Sequence, residues 1–407
     1  MDFTLTPEIE DLRLRVRAFV EEHVLPLEAD PENFTDHENI PEARLAKVRE
    51  KARKAGLWAP QAPKEFGGMA LPIVAWAAIY EESARSIFGP LSIHCMAPDD
   101  GNMNLLARAG TLAQKERWLR PLVEGKARSA FAMTEPHPGS GSDPGMMITR
   151  AEKKGDRYVI HGRKWFITGA EGAAHHILIA RTSNDKRRGL TAFLHHKDQP
   201  GWRIVRRVPI MGPHEHGGHC ELEYDGLEIP EENILLNVGD GLRVTQIRLG
   251  PARLTHCMRW LGFAKRCMEI AQEYVGRREA FGARLADREN VQVKLGEVAH
   301  QIQIGRLLTM HAAWKLDQGS RARKEVSMAK VQVADALNLA ADVAIQLNGA
   351  RGYSKDTILE WIYRYARSAK LVDGASEVHK MVLARFMREE GRDFWKWGPD
   401  EERRKER

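Results

Sequence analysis

The chain has few cysteines, and no two of them lie close together. Its 407 residues include four cysteines, Cys95, Cys220, Cys257 and Cys267, with no C-x-x-C pair among them. They are too few for a disulfide framework and too scattered for a structural zinc site. We therefore expect free thiols in a reducing compartment.

Long apolar runs are also missing from the sequence. No stretch approaches the roughly 20 apolar residues that a membrane helix requires. The first residues, MDFTLTPEIEDLRLRVRAFV, contain early acids and no continuous apolar stretch, which is not typical of a secretory signal. These features predict no membrane association, and a cytoplasmic location is the default.

Charge of one sign is not concentrated in any long segment. The net charge is +6, and basic residues are interleaved with acidic ones except in the short tail EERRKER. Nucleic-acid binding would need a basic stripe or a known module, so we expect no nucleic-acid partner. The small positive excess suits an anionic ligand such as a nucleotide or coenzyme A, but does not identify one.

The spacing of apolar residues divides the chain into three parts. Residues 1–127 have mainly helical spacing, with a first helix that opens at Pro7. Residues 128–241 alternate apolar and polar positions in short runs between turns, as in a small antiparallel β domain. Residues 242–407 return to long amphipathic helices, the first expected over Leu254–Arg278, which indicates a bundle. The predicted fold is mainly α with a central β domain.

Two runs in the β region contain residues suited to a flat, polar cofactor. The run FAMTEP at 131–136 predicts a strand and turn that lead into a loop of small residues at 139–143. Small residues let a backbone approach a ligand closely. The run KWFITG at 164–169 is either a buried aromatic strand or a surface that packs a ring against a planar cofactor. A strand and loop without function is the alternative for both.

These two runs and four others resemble the acyl-CoA dehydrogenase family. All six follow one another along the chain in the family's order. The others are APDDGNMNLLARAGTLAQKERWLRPLVEG, GPARLTHCMRWLG, RREAFG and LNGARGY. Together they extend over about residues 5–390. APDDGNM, GPxRxxHCMR and DGxxEVH resemble the branch whose members are, in some organisms, fused to an aminoglycoside-phosphotransferase-like kinase.

The resemblance implies both a fold and an activity. The fold is an N-terminal helical domain, a middle antiparallel β domain and a C-terminal four-helix bundle. The implied cofactor is FAD, the substrate an acyl-CoA, and the acceptor an electron-transfer flavoprotein, as in fatty-acid β-oxidation. The thioester loses its α-proton to a carboxylate and its β-hydrogen as hydride to flavin N5, which yields a trans-2-enoyl-CoA. A homodimer or homotetramer is implied as well, because family members complete the FAD site of a neighbouring subunit.

The base implied by the resemblance is Asp373, where most family members have a glutamate. Aspartate is one methylene shorter, so the substrate or the helix must lie about an ångström closer for proton transfer. An acid before a glycine is also a common helix N-cap, which is the alternative role for Asp373. Gly374 and Arg253 are implied to lie near the substrate.

The resemblance also assigns a set of cofactor contacts. In the β region these are Phe131, Met133, Thr134, Ser140 or Ser142, Phe166 and Thr168. The loop is longer than usual in the family, so both serines stay candidates. In the helical region they are Arg278, Phe281, Gln346, Gly349 and Gly352, of which Arg278 and the turn after Gln346 are implied to serve the neighbour's FAD. An exposed arginine or a plain turn is the alternative for these positions.

A histidine-rich segment, PHEHGGH, suggests a different site. His214, Glu215, His216 and His219 crowd this segment, and His-x-His spacing occurs in metal sites. Its glycines make it loop-like and it lacks the HExxH pattern, so we expect no metal there. The resemblance implies instead a loop for acyl-group selection or tetramer contact.

Two other functions stay open at this point. One is a flavin oxidase or monooxygenase of the same fold acting on a non-CoA substrate. The other is a catalytically silent flavin-binding scaffold. The carboxylate of Asp373 argues against both, because neither reading explains an acid in that position.

Overall fold

The computed structural model describes residues 4–396, and the chain divides into two compact units. The first unit contains the residues up to Leu71 together with Glu82–Ala252. The second contains Pro72–Glu81 and the residues from Arg253 onward. No helix among the described residues is both long enough and apolar enough to span a bilayer.

The helices lie mainly at the two ends of the chain. Those of the described residues are α1 (Pro7–His23), α2 (Glu42–Lys54), α3 (Ile73–Ser83), α4 (Gly89–Ser92), α5 (Asp99–Ala109), α6 (Leu112–Gln114), α7 (Arg120–Val123), α8 (Gly241–Arg277), α9 (Glu289–Asp317), α10 (Arg323–Asn348), α11 (Ala350–Tyr353), α12 (Leu359–Ser368) and α13 (Ser376–Glu390). Helix α1 begins at the predicted residue, because the Thr6 hydroxyl accepts the Ile9 N–H at 3.4 Å and Pro7 occupies the first turn.

The strands of the large sheet lie between these helical regions, within the first unit. They are β1 (Ser129–Ala132), β2 (Arg150–Lys154), β3 (Arg157–Thr168), β4 (His175–Arg181), β5 (Leu190–His196), β6 (Trp202–Arg207) and β7 (His219–Pro230). They form one seven-stranded sheet in the order β1-β4-β2-β3-β7-β6, with β5 also paired to β4. Antiparallel pairing, as predicted, joins β2–β3, β3–β7, β4–β5 and β6–β7. Two further pairs, β1–β4 and β2–β4, are parallel.

Strand β4 is buried on both faces, which explains its nearly continuous apolar sequence. Ile177 and Ile179 pack into a cluster with Trp118 of the helical region. Leu178 and Ala180 point the other way, into a cluster formed by strand residues. Because successive residues of a strand face opposite sides, one strand serves two cores.

The described part of the second unit is mainly helical and contains the small hairpin of β8 (Glu279–Ala280) and β9 (Ala283–Arg284). Helix α10 is its central element and packs against α9, α12 and α13. The buried residues of α10 recur at helical spacing, as in Val333, Leu337, Ala340 and Ala344. This pattern fits the predicted helical bundle.

The start of α8 differs from the prediction. The helix expected over Leu254–Arg278 extends from Gly241 to Arg277 and contains Pro251 in its interior. A proline removes one backbone hydrogen bond and normally ends a helix. Here Val244 and Leu254, on either side of it, are fully buried, so tertiary packing outweighs the local preference.

Candidate active site

The PDDGN segment fixes the start of β1. Asp99 Oδ1 accepts hydrogen bonds from the Ser129 backbone N–H at 2.7 Å and from its hydroxyl at 2.6 Å. Asn102 Nδ2 donates to the same hydroxyl at 2.9 Å. The Arg248 guanidinium lies 4.9 Å above the ring of the half-buried Phe131. The strand that leads to the predicted cofactor contacts is therefore held by buried polar groups on its N-terminal side.

A buried ion pair lies directly behind Met133. Lys164 Nζ donates to Glu135 Oε1 and to the Met133 carbonyl, both at 2.9 Å, and neither charged side chain is exposed. Glu135 also accepts the backbone N–H groups of Ser140 at 3.0 Å, Ile148 at 2.8 Å and Thr149 at 2.9 Å. One carboxylate thus organises the whole loop that follows β1.

The charge states of this pair follow from its surroundings. Burial lowers the pKa of Lys164 to about 8, although the neighbouring carboxylate favours its charged form. Burial also opposes ionisation of Glu135, but Lys164 and the backbone N–H groups outweigh it and hold the pKa of that carboxyl below its usual value. Both groups are therefore charged at neutral pH.

Phe166 has an unusual backbone for an aromatic residue. Its φ is +52°, its side chain is 43% exposed, and it lies in an irregularity of the β3–β7 pairing between Lys164 and Ile167. Bulky residues rarely adopt positive φ, and such outliers cluster at ligand sites. The Trp165 N–H donates to the Thr134 carbonyl at 3.0 Å, so the FAMTEP and KWFITG runs meet here.

The Thr168 hydroxyl, two residues further on, has a histidine partner. Its Oγ1 lies 3.0 Å from His219 Nδ1. Burial lowers the pKa of His219 to about 4, so the ring is neutral at pH 7. His219 therefore lies beside Thr168, one of the predicted cofactor contacts.

The two candidate serines occupy different environments. Ser140 is fully buried, and its hydroxyl lies 3.5 Å from the Met133 carbonyl. Ser142 is exposed. A buried hydroxyl supports the loop, whereas an exposed one is accessible to a ligand, so Ser142 remains the better-placed contact of the two.

The rest of the histidine-rich segment is held by its backbone. Asn39 Nδ2 donates to the His214 carbonyl at 2.9 Å, and Arg128 Nη2 donates to the His216 carbonyl at 2.6 Å. Over residues 4–396, no three or more His, Cys, Asp or Glu side chains converge in a way that could hold a metal ion.

In the second unit, Asp373 lies on a turn rather than at the start of a helix. Asp373 has φ +51° and Gly374 has φ +101°, so two successive residues are left-handed. Helix α13 begins at Ser376, with Ala375 at its cap position and no side-chain cap. The helix-cap alternative for Asp373 is therefore wrong, because Ala375 and not Asp373 occupies the cap position of α13.

The backbone of this turn is bound by three side chains from α8, α10 and α13. Arg253 Nε donates to the Asp373 carbonyl at 2.8 Å, and His379 Nε2 lies 3.4 Å from the same oxygen. Lys330 Nζ donates to the carbonyls of Ala369 at 2.8 Å and Gly374 at 2.9 Å. The turn is thus fixed while the Asp373 carboxylate keeps 17% of its surface exposed.

Burial lowers the pKa of two of these side chains. It lowers the pKa of Lys330 from its usual value and lowers that of His379 to about 4. Neutral His379 donates from Nε2 to the carbonyl, so Nδ1 accepts from the Ser327 hydroxyl at 3.1 Å. The predicted substrate residue Arg253 therefore also acts on the conformation of the turn.

The remaining predicted contacts lie at the surface of the second unit, with one exception. Arg278, Gln346 and Gly349 are exposed. Phe281 is 98% exposed at the tip of the β8–β9 hairpin, with φ +53°. Gly352 is buried, and a Cβ there would lie 2.7 Å from the Ile345 carbonyl, so only glycine fits.

Sequence reasoning assigned no role to several of these residues. His379 lies in the quoted EVH run and Lys164 in KWFITG, so the motifs contained both. Lys330 has a different signal, a lysine on the apolar face of α10. Such a position predicts a buried cation with specific acceptors.

Comparisons with known proteins agree over most of the chain. Family models for acyl-CoA dehydrogenase match its N-terminal domain over 6–126, its middle domain over 130–227 and its C-terminal domain over 239–388. The Mycobacterium tuberculosis protein named "Probable acyl-CoA dehydrogenase FadE2" is 38% identical over 401 residues, covering 95% of this chain and 96% of that protein. A solved structure from Mycobacterium abscessus superposes with a TM-score of 0.89 at 34% identity, covering 95% of this chain and 100% of that one.

A longer relative is similar over one half of its length. Acyl-CoA dehydrogenase family member 11 of Gallus gallus is 36% identical over 401 residues, which are 93% of this chain and 50% of that protein. The chain therefore spans about half the length of that relative.

The helical, β and helical regions and the family matches identify the chain as a flavin-dependent oxidoreductase. The chain belongs to the acyl-CoA dehydrogenase family, and FAD is its cofactor. The described residues fit this group, since Phe166 offers an exposed aromatic face and Thr168 a hydroxyl beside it. A planar, partly polar ring system suits such a surface.

Proposed function

We propose that the chain dehydrogenates an acyl-CoA thioester between Cα and Cβ to a trans-2-enoyl-CoA, with Asp373 as the base. The observation that supports this most is the Asp373 carboxylate, partly exposed on a turn whose backbone is bound by Arg253, Lys330 and His379. A base needs a fixed position and access to its proton, and this arrangement supplies both.

In this proposal the cofactor and the residues of the turn have separate roles in the reaction. Bound FAD would accept the β-hydrogen as hydride. Asp373 removes the α-proton onto a carboxylate oxygen, and Arg253 and Gly374 line the same turn. Closure of the site around an acyl chain would remove water from the carboxylate and strengthen it as a base.

The cofactor contacts follow the two surfaces described above. Phe131, Met133, Thr134, Phe166 and Thr168 would hold the flavin ring, and Ser142, with Ser140 beneath it, would meet the polar part of the ligands. Exposure of Arg278, Phe281, Gln346 and Gly349, with the turn kept by Gly352, supports a contact with FAD of a neighbouring subunit. A homodimer or homotetramer is proposed on that basis, with an electron-transfer flavoprotein as electron acceptor.

Three further assignments belong to the proposal. Similarity to the longer Gallus gallus protein supports the branch with kinase-fused members. The family matches support domain limits at 1–127, 128–241 and 242–407. Free, buried cysteines support a reducing compartment such as the cytoplasm.

The first experiment mixes the purified FAD-loaded protein with a panel of acyl-CoA thioesters without oxygen and follows flavin absorbance. We expect at least one thioester to bleach the flavin. Asp373→Asn should retain FAD, and its rate of flavin bleaching should fall by at least about a thousandfold, since an amide cannot accept the proton. Asp342→Asn, at an exposed position of α10, is the matched control and should bleach normally.

Two results would contradict the proposal. Retained bleaching in Asp373→Asn would place the base elsewhere. Bleaching by no thioester, together with oxygen consumption and peroxide release on another substrate, would identify a same-fold oxidase.

A further inference from the structure

A buried histidine on α8 faces the carboxylate of Asp373. His256 Nε2 lies 3.5 Å from Asp373 Oδ2, and its side chain is 10% exposed. Its ring stacks on Trp260, one turn along α8, with centroids 5.2 Å apart and planes inclined by 27°. The contact is longer than a normal hydrogen bond, but a movement of roughly half an ångström brings it to that distance.

A second neighbour sets which ring nitrogen of His256 carries the hydrogen. Arg259 Nη2 lies 3.4 Å from His256 Nδ1. A guanidinium can only donate, so Nδ1 must accept. In a neutral imidazole the hydrogen then resides on Nε2, the nitrogen that faces Asp373.

Charged side chains surround His256 and the Asp373 turn. Arg259 is fully buried, with its guanidinium 5.8 Å from the centre of the Tyr80 ring. The other charged or titratable side chains at the turn are Arg253 of α8, Lys330 of α10, and Glu377 and His379 of α13. A hydrogen on Nδ1 would meet the Arg259 donors directly, so Nε2 is the nitrogen that can donate.

We propose that Arg259 and His256 form a positioning relay for the base. Arg259 orients His256, and His256 donates Nε2–H to Asp373 Oδ2. The α-proton passes to the Asp373 carboxylate, and His256 contributes a hydrogen bond only. The relay rests on the proposed role of Asp373, and it makes His256 a positioning residue rather than a catalytic one.

The short side chain of aspartate gives the relay its purpose. Small misplacements of a reacting group slow proton transfer strongly. A hydrogen bond to one oxygen restricts the rotation of the carboxylate about its Cβ–Cγ bond. It also stabilises the ionised form that acts as base.

The test compares His256→Leu, which removes the donor, with His256→Gln, whose amide nitrogen can take the place of Nε2. His300→Leu, at an exposed position of α9, is the matched control. The measurement is the anaerobic rate of flavin bleaching against acyl-CoA concentration and pH, using the best thioester of the panel. FAD content and the thermal transition are recorded for every variant.

We expect His256→Leu to lower the saturated bleaching rate by about tenfold or more while leaving the half-saturating concentration nearly unchanged. The acid limb of its pH–rate profile should move to higher pH, since the ionised carboxylate loses a donor. His256→Gln should recover to within about threefold of the unaltered chain. If the leucine variant does not fold, His256→Asn replaces it, because that amide is too short to reach Oδ2.

Asp373→Asn in the same assay separates the two proposals. If it bleaches, the assignment of the base fails. If it does not bleach while His256→Leu behaves like His300→Leu in rate and pH profile, the base stands and the relay is overturned. A glutamine variant as slow as the leucine variant also overturns it.

Discussion

Each unit contains a fully buried lysine that binds the backbone of a functional segment, but the two lysines differ in their acceptors. Lys164 donates to the carboxylate of Glu135 as well as to a carbonyl. Lys330 donates to two carbonyls, and its Nζ lies 5.5 Å from the centre of the Trp260 ring.

The difference separates two ways of fixing a loop. A buried pair of opposite charges holds its loop firmly, but losing one partner leaves an uncompensated charge. Replacing a lysine that is bound by carbonyls removes its charge and its hydrogen bonds together, so no opposite charge is left buried. Burial lowers the pKa of Lys330, whereas the nearby Asp373 carboxylate favours its charged form.

The largest effect is expected from breaking the pair in the first unit. Glu135→Gln should lower the free energy of unfolding by about 3–5 kcal/mol, because Lys164 stays buried without its carboxylate. Urea unfolding followed by tryptophan fluorescence measures this. Glu223→Gln, in a more exposed cluster with Arg163 and Arg203, should cost about 1 kcal/mol or less. Equal losses for both variants would show that the buried pair has no special weight.

A second effect should distinguish the two units by their response to acid. The first unit contains several buried histidines whose pKa is lowered from its usual value, mainly by burial: His94, His175, His176, His195, His216 and His219. In the second unit, His379 has a pKa lowered to about 4. Below pH 6.5 these histidines bind protons in the unfolded chain but not in the folded chain, so the free energy of unfolding falls as the pH falls.

Each such histidine should cost about 2 kcal/mol between pH 6.5 and pH 5. The first unit should therefore open before the second, as measured by hydrogen exchange of peptides from each unit over this pH range. His176→Phe should reduce the acid sensitivity of the first unit, and His161→Phe, at an exposed position, should not. Simultaneous opening of both units at every pH would contradict this prediction.

The smallest effect on stability is expected for the second lysine. Lys330→Met should lower the free energy of unfolding by about 1–3 kcal/mol, since the Ala369 and Gly374 carbonyls lose a donor but no charge is stranded. It should also slow flavin bleaching, because the turn that contains Asp373 becomes less fixed. Lys324→Met, which removes a half-buried partner of Glu390, is the control and should leave the bleaching rate unchanged. A stability loss as large as that of Glu135→Gln would remove the distinction between the two lysines.

The sequence by itself determined the fold class, and local chemistry explains why. The period of apolar residues changes from helical to alternating and back, and cap residues such as Thr6 mark where helices begin. Ordered motifs identified the family and named the candidate residues of the site. These features depend on neighbouring residues along the chain, so a linear reading contains them.

Tertiary structure decided what depends on residues far apart in sequence. Helix α8 continues through Pro251 because the residues around it are packed. Ser140 is buried and supports its loop, whereas Ser142 is exposed. Only the folded turn removed the helix-cap role of Asp373 and brought His256 to within 3.5 Å of it. No local pattern records such contacts, because they arise when helices separated by about a hundred residues pack together.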